Sequence, residues 1–231
     1  MKTLLIFDID GTLLHSNKID SQCFATTYEQ LYGKPFPSID WRNYPHVSDT
    51  TIFGAVIQEH FGREPEQEEV RIFQDAFVSM IEERRREKPG DFMEVPSARS
   101  TFERLLADDR YVLGIATGGW ERPARVKLAH INLPTDALIM SFADGKLTRE
   151  HIIQDVLDEV ARRSIPIRRT VYIGDAPWDV RTTRNMSMPL VGIRRRGDMQ
   201  HLHELGASHV LQDYSDFDAF IQATEQAQVP I

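Results

Sequence analysis

The chain has 231 residues, of which 41% are hydrophobic and 27% charged, a composition typical of a globular protein with a buried core. Its 35 acidic residues outnumber the 27 basic ones and give a formal charge of -8. This balance argues against a general nucleic-acid-binding protein, which needs a basic face. The single cysteine, Cys23, excludes an intrachain disulfide and a metal site built from several cysteines. No apolar run approaches the roughly 20 residues of a membrane span, and the N-terminus lacks a signal-peptide pattern, so we expect a cytoplasmic protein.

The first predicted strand is the apolar run at residues 3–7, which ends abruptly in acidic residues. A continuous apolar run is typical of a strand buried on both faces of a parallel sheet. The stretch that follows, to about residue 89, carries apolar residues at helical spacing but no strand pattern. We therefore predict a small helical domain at residues 17–90, inserted into a core formed by residues 1–16 and 91–231.

After the insertion, strand patterns alternate with helical patterns. Strands are predicted at 111–116, 170–173 and 190–193, with weaker candidates at 137–140 and 209–211. Helices are predicted at 99–106, 122–130, 150–162 and 178–185. The alternation predicts an α/β protein with a doubly wound parallel sheet, that is, a Rossmann-like core. For the basic run at 194–197 we predict a surface loop in preference to a phosphate clamp.

Polar residues follow three of the predicted strands, where open parallel sheets bind their ligands. Asp8 and Asp10 follow the first strand, and because they are two residues apart on an extended chain they point the same way. Thr117 follows the strand at 111–116, while Asp175 and Asp179 follow the strand at 170–173.

Four carboxylates at one sheet edge repel each other and need a compensating charge. Mg²⁺ suits such a site because it takes one or two carboxylates together with phosphate oxygens. A simpler explanation is that these acids cap helix N-termini. For Asp179 alone this explanation is as good as a metal site, but for Asp8, Asp10 and Asp175 together it is poor.

The motif at residues 8–13, Asp-Ile-Asp-Gly-Thr-Leu, resembles the first motif of the haloacid dehalogenase superfamily. Thr117 at a strand end is similar to the second motif, and Gly174-Asp175 with Asp179 is similar to the fourth. The elements follow the order of the family over essentially the whole chain. The resemblance implies that Asp8 attacks phosphorus to form an aspartyl-phosphate. It implies that Asp10 protonates the leaving group and then activates water.

The resemblance also implies the remaining roles. Mg²⁺ would be held by Asp8, the backbone carbonyl of Asp10 and Asp175. Thr117 and the amide of Gly118 would bind phosphate oxygens. Asp179 would orient metal-bound water or a basic partner.

The third motif of the family supplies a cation beside the nucleophile. Aligning its glycine with Gly145 places Lys146 in that role, although the prolines of the motif are missing. Arg149, at the start of the next predicted helix, is the alternative. We prefer Lys146 as the phosphate-binding cation.

Within the insertion, residues 46–50 (His-Val-Ser-Asp-Thr) resemble the substrate loop of phosphoglycolate phosphatase-like members, but the glycine of that loop is missing. Arg42, His46 and Thr50 are candidates for contact with the substrate. The alternative, helix capping by Ser48 or Asp49, is at least as good. The insertion at residues 17–90 resembles the helical cap of the family, and a cap of this size implies a small phosphorylated metabolite as the substrate.

The acid at Asp10 favours phosphate chemistry over dehalogenation, because cleavage of a carbon–halogen bond needs no proton donor. The sequence therefore predicts a magnesium-dependent phosphatase. A sugar-phosphate mutase of the same fold stays open as an alternative. A phospho-receiver module is disfavoured by the Asp8–Asp10 pair and the long insertion. A non-catalytic binding protein is disfavoured by the intact set of Asp8, Asp10, Thr117 and Asp175. We expect a monomer or a homodimer with no nucleic-acid or membrane partner.

Overall fold

The computed structural model describes residues 1–194 and 198–231, so most of the basic run at 194–197 lies outside the described residues. Six strands form one parallel sheet in the order β3-β2-β1-β4-β5-β6. Their bounds are β1 (Lys2–Phe7), β2 (Tyr111–Ala116), β3 (Ile139–Ser141), β4 (Ile167–Gly174), β5 (Leu190–Ile193) and β6 (His209–Leu211). The predicted α/β fold class is confirmed, and each predicted strand overlaps an observed one.

Nine α-helices connect or follow the strands within the described ranges. Three lie between β1 and β2 in the predicted insertion: α1 (Asn17–Tyr32), α2 (Asp49–Phe61) and α3 (Gln67–Glu87). The others are α4 (Ala98–Leu106), α5 (Glu121–His130), α6 (Arg149–Arg162), α7 (Pro177–Asn185), α8 (Met199–Glu204) and α9 (Phe217–Gln226). None of these helices is both long and apolar enough to cross a membrane. The exact cap boundaries at residues 17–90 stay a prediction.

The register of the three central strands brings their carboxyl ends level. Phe7 of β1 lies opposite Ile115 of β2 on one side and Ile173 of β4 on the other. β1 is buried along most of its length, as expected for a central strand. The chain runs from β1 outward to β2 and β3, then returns to β4 on the other side, so the strand order reverses beside β1. Such a reversal opens a crevice at the carboxyl ends of the strands.

An aromatic cluster joins the inserted helices to the core. Phe24 of α1 packs against Phe73 and Phe77 of α3, with ring centroids 4.9 and 5.2 Å apart, and against Trp120 of the core at 5.8 Å. All four rings are fully buried. The three helices cannot each bury an apolar face alone, so this shared cluster places them over the carboxyl edge of the sheet.

We expect Phe24→Ala to destabilise the protein by about 3–5 kcal/mol, because it removes a fully buried ring and leaves a cavity. Leu31→Ala on the same helix is the matched control, since Leu31 is 42% exposed and its loss should change the stability by no more than about 0.5 kcal/mol. Urea unfolding followed by circular dichroism measures both. Equal stability of the two variants would contradict the role of the aromatic cluster.

Candidate active site

The candidate active site lies where the loops after β1, β2 and β4 meet. Asp8 follows Phe7 directly, Thr117 follows Ala116, and Asp175 follows Gly174. All three side chains are buried, with exposures of 2–4%. Asp8 and Thr117 line one cavity together with Asp10 and Gly118. The structure thus brings together the predicted residues of the first, second and fourth motifs.

Arg149 is the cation beside Asp8. Its Nη2 donates to Asp8 Oδ2 at 3.0 Å, to Asp179 Oδ1 at 2.7 Å and to the Tyr172 hydroxyl at 3.0 Å. The Thr148 side chain accepts a hydrogen bond from the backbone of His151, which caps helix α6 at the point where Arg149 begins it. Arg149 is 5% exposed, so its charge acts in a poorly solvated environment where pairing is strong.

Asp179 fixes the loop after β4. Its Oδ2 accepts from the backbone N–H groups of Asp175 and Ala176, both at 3.0 Å, and its Oδ1 accepts from Arg149. Asp179 therefore caps the start of α7 and orients a basic partner at the same time. The pKa of Asp179 is raised to about 6 by burial, and the charge of Arg149 limits this rise.

Gly11 leaves room for Asp175. Its φ of 81° lies in the left-handed region, and a Cβ there would come within 2.1 Å of Asp175 Oδ2 and 2.6 Å of the Asn17 amide nitrogen. Asn17 donates to Asp175 Oδ2 at 2.9 Å, and Arg194 donates to the backbone oxygen of Asp175 at 2.9 Å. The glycine of the first motif therefore lets Asp175 approach the loop after β1.

The acidic residues fit a divalent cation. Single carboxylate oxygens of Asp8, Asp175 and Asp179 lie within 4.8 Å of one another. Asp8 Oδ1 and Asp175 Oδ1 are buried and have no hydrogen-bond partner, which is unfavourable for a charged oxygen. The pKa of Asp175 is raised well above its usual range by burial and by the charges of Asp179 and Asp8. Oxygen ligands of this kind suit Mg²⁺, and Asp8 and Asp175 would hold it, since both oxygens of Asp179 are engaged elsewhere.

Asp10 lies in a second charged group beside the first. Its Oδ1 accepts from the Ser16 hydroxyl at 2.5 Å and its Oδ2 accepts from Lys127 Nζ at 2.5 Å. Lys127 also donates to Asp20 Oδ1 of α1 at 2.8 Å. Both carboxylates that follow β1 thus have a cationic partner, and the two partners are different.

The preference for Lys146 over Arg149 is corrected by this geometry. Lys146 pairs with Asp155 at 3.0 Å, and Asp155 is half exposed. Arg149 takes the place beside Asp8 because it is the first residue of a helix that starts next to the site, whereas Lys146 belongs to the preceding turn.

Comparison with known proteins agrees with this geometry. The sequence profile described as haloacid dehalogenase-like hydrolase matches residues 5–193 of this chain. The chain belongs to the haloacid dehalogenase-like hydrolase family. A comparison with curated protein sequences gives no significant match.

Solved structures share the fold of this haloacid dehalogenase-like hydrolase. A hydrolase from Pseudomonas syringae superimposes with a TM-score of 0.70 at 20% identity, covering 96% of this chain and 98% of its own. CbbY from Rhodobacter sphaeroides, solved in complex with phosphate, gives 0.69 at 16% identity and coverages of 94% and 96%. A β-phosphoglucomutase from Clostridium difficile gives 0.69 at 17% identity and coverages of 98% and 98%.

The predicted substrate contacts of the cap are corrected by the structure. Arg42 is exposed and makes two hydrogen bonds to Asp40, at 2.8 and 2.7 Å, and His46 is exposed as well. Thr50 donates to the backbone oxygen of Ala143 at 2.6 Å and accepts from the indole N–H of Trp120 at 2.9 Å. The three residues do not line the cavity that holds Asp8.

Helix capping explains the segment at 46–50 instead. Ser48 is the N-cap of α2, and its hydroxyl accepts from the backbone of Thr51 at 3.4 Å. Asp49 accepts from the backbone N–H of Trp120 at 2.9 Å, and its own N–H donates to the Gly118 oxygen at 2.8 Å. The segment therefore docks the cap on the core loop that carries Thr117.

Gly118 is required at this junction for a steric reason. A Cβ there would come within 2.4 Å of Arg149 Nη1 and 2.7 Å of the backbone oxygen of Val47. The absence of a side chain lets Arg149 and the cap approach the loop after β2 together. The predicted role of its amide in binding phosphate stays a prediction.

Several residues of the site were not predicted from the sequence, among them Asn17, Asp20, Lys127 and Tyr172. One signal was present, because Lys127 lies beside the buried residues Ala124 and Leu128 on the apolar face of α5. The sequence carries no such signal for Tyr172, since a tyrosine in an apolar strand is ordinary.

We expect Arg149→Met to lower kcat/KM for a phosphate ester by about 10²- to 10³-fold, because it removes the charge that faces Asp8. Arg149→Lys should recover little, since one ammonium cannot reproduce the planar, multidentate contacts. Lys146→Met is the matched comparison and should leave kcat/KM close to that of the unsubstituted protein. Steady-state kinetics measures all three, and a larger loss for Lys146→Met would contradict the assignment.

Proposed function

We propose that this protein is a magnesium-dependent phosphatase that hydrolyses a small phosphorylated metabolite through an aspartyl-phosphate intermediate. The observation that carries the proposal is the state of Asp8. One of its oxygens is held by Arg149, and the other is buried without a hydrogen-bond partner in the loop after the central strand. An oriented and poorly solvated carboxylate in a cavity is suited to nucleophilic attack.

In this proposal the two carboxyl groups have different tasks. Asp8 forms a bond to phosphorus while the bond from phosphorus to the leaving oxygen breaks, and Asp10 gives its proton to that oxygen. Asp10 then takes a proton from water as the water oxygen attacks phosphorus and releases Asp8. Arg149 stays charged throughout and faces the negative charge of Asp8 and of the transferring phosphoryl group.

Asp8, Asp175 and the backbone carbonyl of Asp10 would hold Mg²⁺. When bound, the ion supplies positive charge that stabilises the phosphoryl oxygens. Asn17, Arg194 and Gly11 keep Asp175 in the position this requires.

Asp8→Asn should reduce phosphate release by about 10³-fold or more, because the amide is a poor nucleophile and the pairing with Arg149 is lost. The assay uses an aryl phosphate with Mg²⁺ present, and chelation of the metal with EDTA should abolish activity until Mg²⁺ is restored.

Asp109→Asn is the matched control for Asp8→Asn, because Asp109 is fully exposed in the turn before β2 and should be replaceable without effect. Circular dichroism checks that both variants are folded. Near-normal turnover by Asp8→Asn would show that the nucleophile is misassigned.

The lining of the cavity supports a substrate class. On the cap side the cavity is lined by Trp41, Val47, Asp49, Ile52 and Asp20. Burial raises the pKa of Asp20 to about 6 and also raises that of Asp49, so this region disfavours negative charge. Among the described residues that line it, Arg149 is the one cationic side chain. The leaving group that fits is therefore neutral.

This lining also favours hydrolysis over the mutase alternative. A sugar-phosphate mutase must hold a second phosphate at a distance from the nucleophile, and that anion needs a cationic partner. The described cap-side residues of the cavity offer carboxyl, amide, hydroxyl, apolar and indole groups and no cationic side chain.

We expect a phosphate ester of a neutral polyol to exceed both phosphoglycolate and a sugar bisphosphate in kcat/KM by about tenfold or more. In the Asp49→Asn variant the difference in kcat/KM between these substrates should be smaller. The amide keeps the contact to Trp120 and carries no ionisable group. The measurement is kcat/KM on the three substrates with each protein. A preference for an anionic leaving group would contradict the proposed class.

The cytoplasmic location and the monomeric or homodimeric state stay predictions.

A further inference from the structure

A buried lysine joins the proton-transfer residue to the cap. Lys127 of α5 donates to Asp10 Oδ2 at 2.5 Å and to Asp20 Oδ1 at 2.8 Å. Its side chain is 1% exposed, while those of Asp10 and Asp20 are 22% and 15% exposed. One ammonium group of core helix α5 therefore contacts both the loop after β1 and the first helix of the insertion.

Burial of this lysine is not explained by stability alone. A buried ion pair is often replaceable by apolar residues without loss of stability, because desolvation offsets much of the attraction. Burial by itself lowers the pKa of Lys127, but the charges of Asp10 and Asp20 outweigh it and raise the pKa above its usual value. Lys127 is thus kept charged by two carboxylates, one of which is assigned to proton transfer.

The contacts of Asp10 restrict the orientation of its carboxyl group. Ser16 donates to Oδ1 at 2.5 Å and Lys127 donates to Oδ2, so each oxygen is held by a different residue. General acid–base catalysis depends on the alignment of the donor with the leaving oxygen, and a small misplacement lowers the rate strongly.

We propose that Lys127 is a positioning residue for proton transfer by Asp10, and that Asp20 ties this contact to helix α1 so that Asp10 is aligned when the cap is docked. The inference rests on the proposed phosphatase function. In the first step Asp8 forms a bond to phosphorus, the bond from phosphorus to the leaving oxygen breaks, and the proton of Asp10 moves to that oxygen. The carboxylate left on Asp10 is then paired by the Lys127 ammonium, while Asp20 balances the charge of that ammonium.

The choice of leaving group distinguishes a positioning role of Lys127 from a merely structural one. An alkyl phosphate releases an alkoxide that requires the proton of Asp10, whereas 4-nitrophenyl phosphate releases a stable nitrophenolate that does not. The measured quantity is kcat/KM, which covers the steps up to formation of the aspartyl-phosphate. We expect Lys127→Met to lose roughly 10²-fold on the alkyl phosphate and less than about fivefold on 4-nitrophenyl phosphate.

Matched variants complete the experiment. Asp10→Asn should show the same selective loss, and Arg125→Met, an exposed cation on the same helix α5, should show none. Asp20→Asn should lose activity selectively on the alkyl phosphate and to a smaller extent. It also carries the test if Lys127→Met does not fold, as judged by circular dichroism and thermal unfolding.

The outcomes separate this inference from the function on which it rests. If Asp8→Asn is inactive on both substrates and the Lys127 and Asp20 variants lose activity equally on both, or on neither, the positioning role is wrong and the phosphatase proposal stands. If Asp8→Asn remains active on both, the phosphatase proposal fails and this inference fails with it. A loss confined to the alkyl phosphate supports the positioning role.

Discussion

Repulsion among the buried carboxylates at the carboxyl edge of the sheet is the constraint to which the surrounding structure responds. Oxygens of Asp8, Asp175 and Asp179 lie within 4.8 Å of one another, which is strongly unfavourable without positive charge. Arg149 supplies part of that charge and is held by hydrogen bonds to Asp8, Asp179 and Tyr172. The orphaned oxygens of Asp8 and Asp175 mark where the remaining positive charge is needed.

The same constraint shapes the contact between core and cap. A Cβ at position 118 would come within 2.4 Å of Arg149 Nη1, and the cap backbone at Val47 lies against the same glycine. Asp49 and Thr50 then fasten helix α2 through Trp120. Residues predicted from the sequence to contact the substrate therefore hold the cap against the core. Neighbouring side chains line the cavity instead.

Much of the fold follows from local sequence, because a buried parallel strand must be a short apolar run and its carboxyl end must carry the ligand-binding residues. This reasoning places β1, β2, β4 and β5, and with them Asp8, Thr117 and Asp175. It does not identify the cation, because Lys146 and Arg149 are three residues apart and a choice between them depends on where α6 begins. Lys127 and Asp20 are 107 residues apart, so their contact depends on packing between α1 and α5 that local patterns do not specify.

Asp8 and Asp10 need different electrostatic environments, which a single cation could not provide. A nucleophile must remain anionic, and Arg149 suits it because a guanidinium does not lose its proton and can contact several acceptors at once. A general acid must lose or gain a proton in each half of the reaction. A cation whose charge no other group offsets would stabilise the carboxylate too strongly for this exchange. Lys127 donates to Asp20 as well as to Asp10, so one ammonium orients Asp10 while its charge faces two carboxylates. Because Asp20 belongs to helix α1, the balance of charge at Asp10 depends on the position of the cap, whereas that at Asp8 is set mainly within the core.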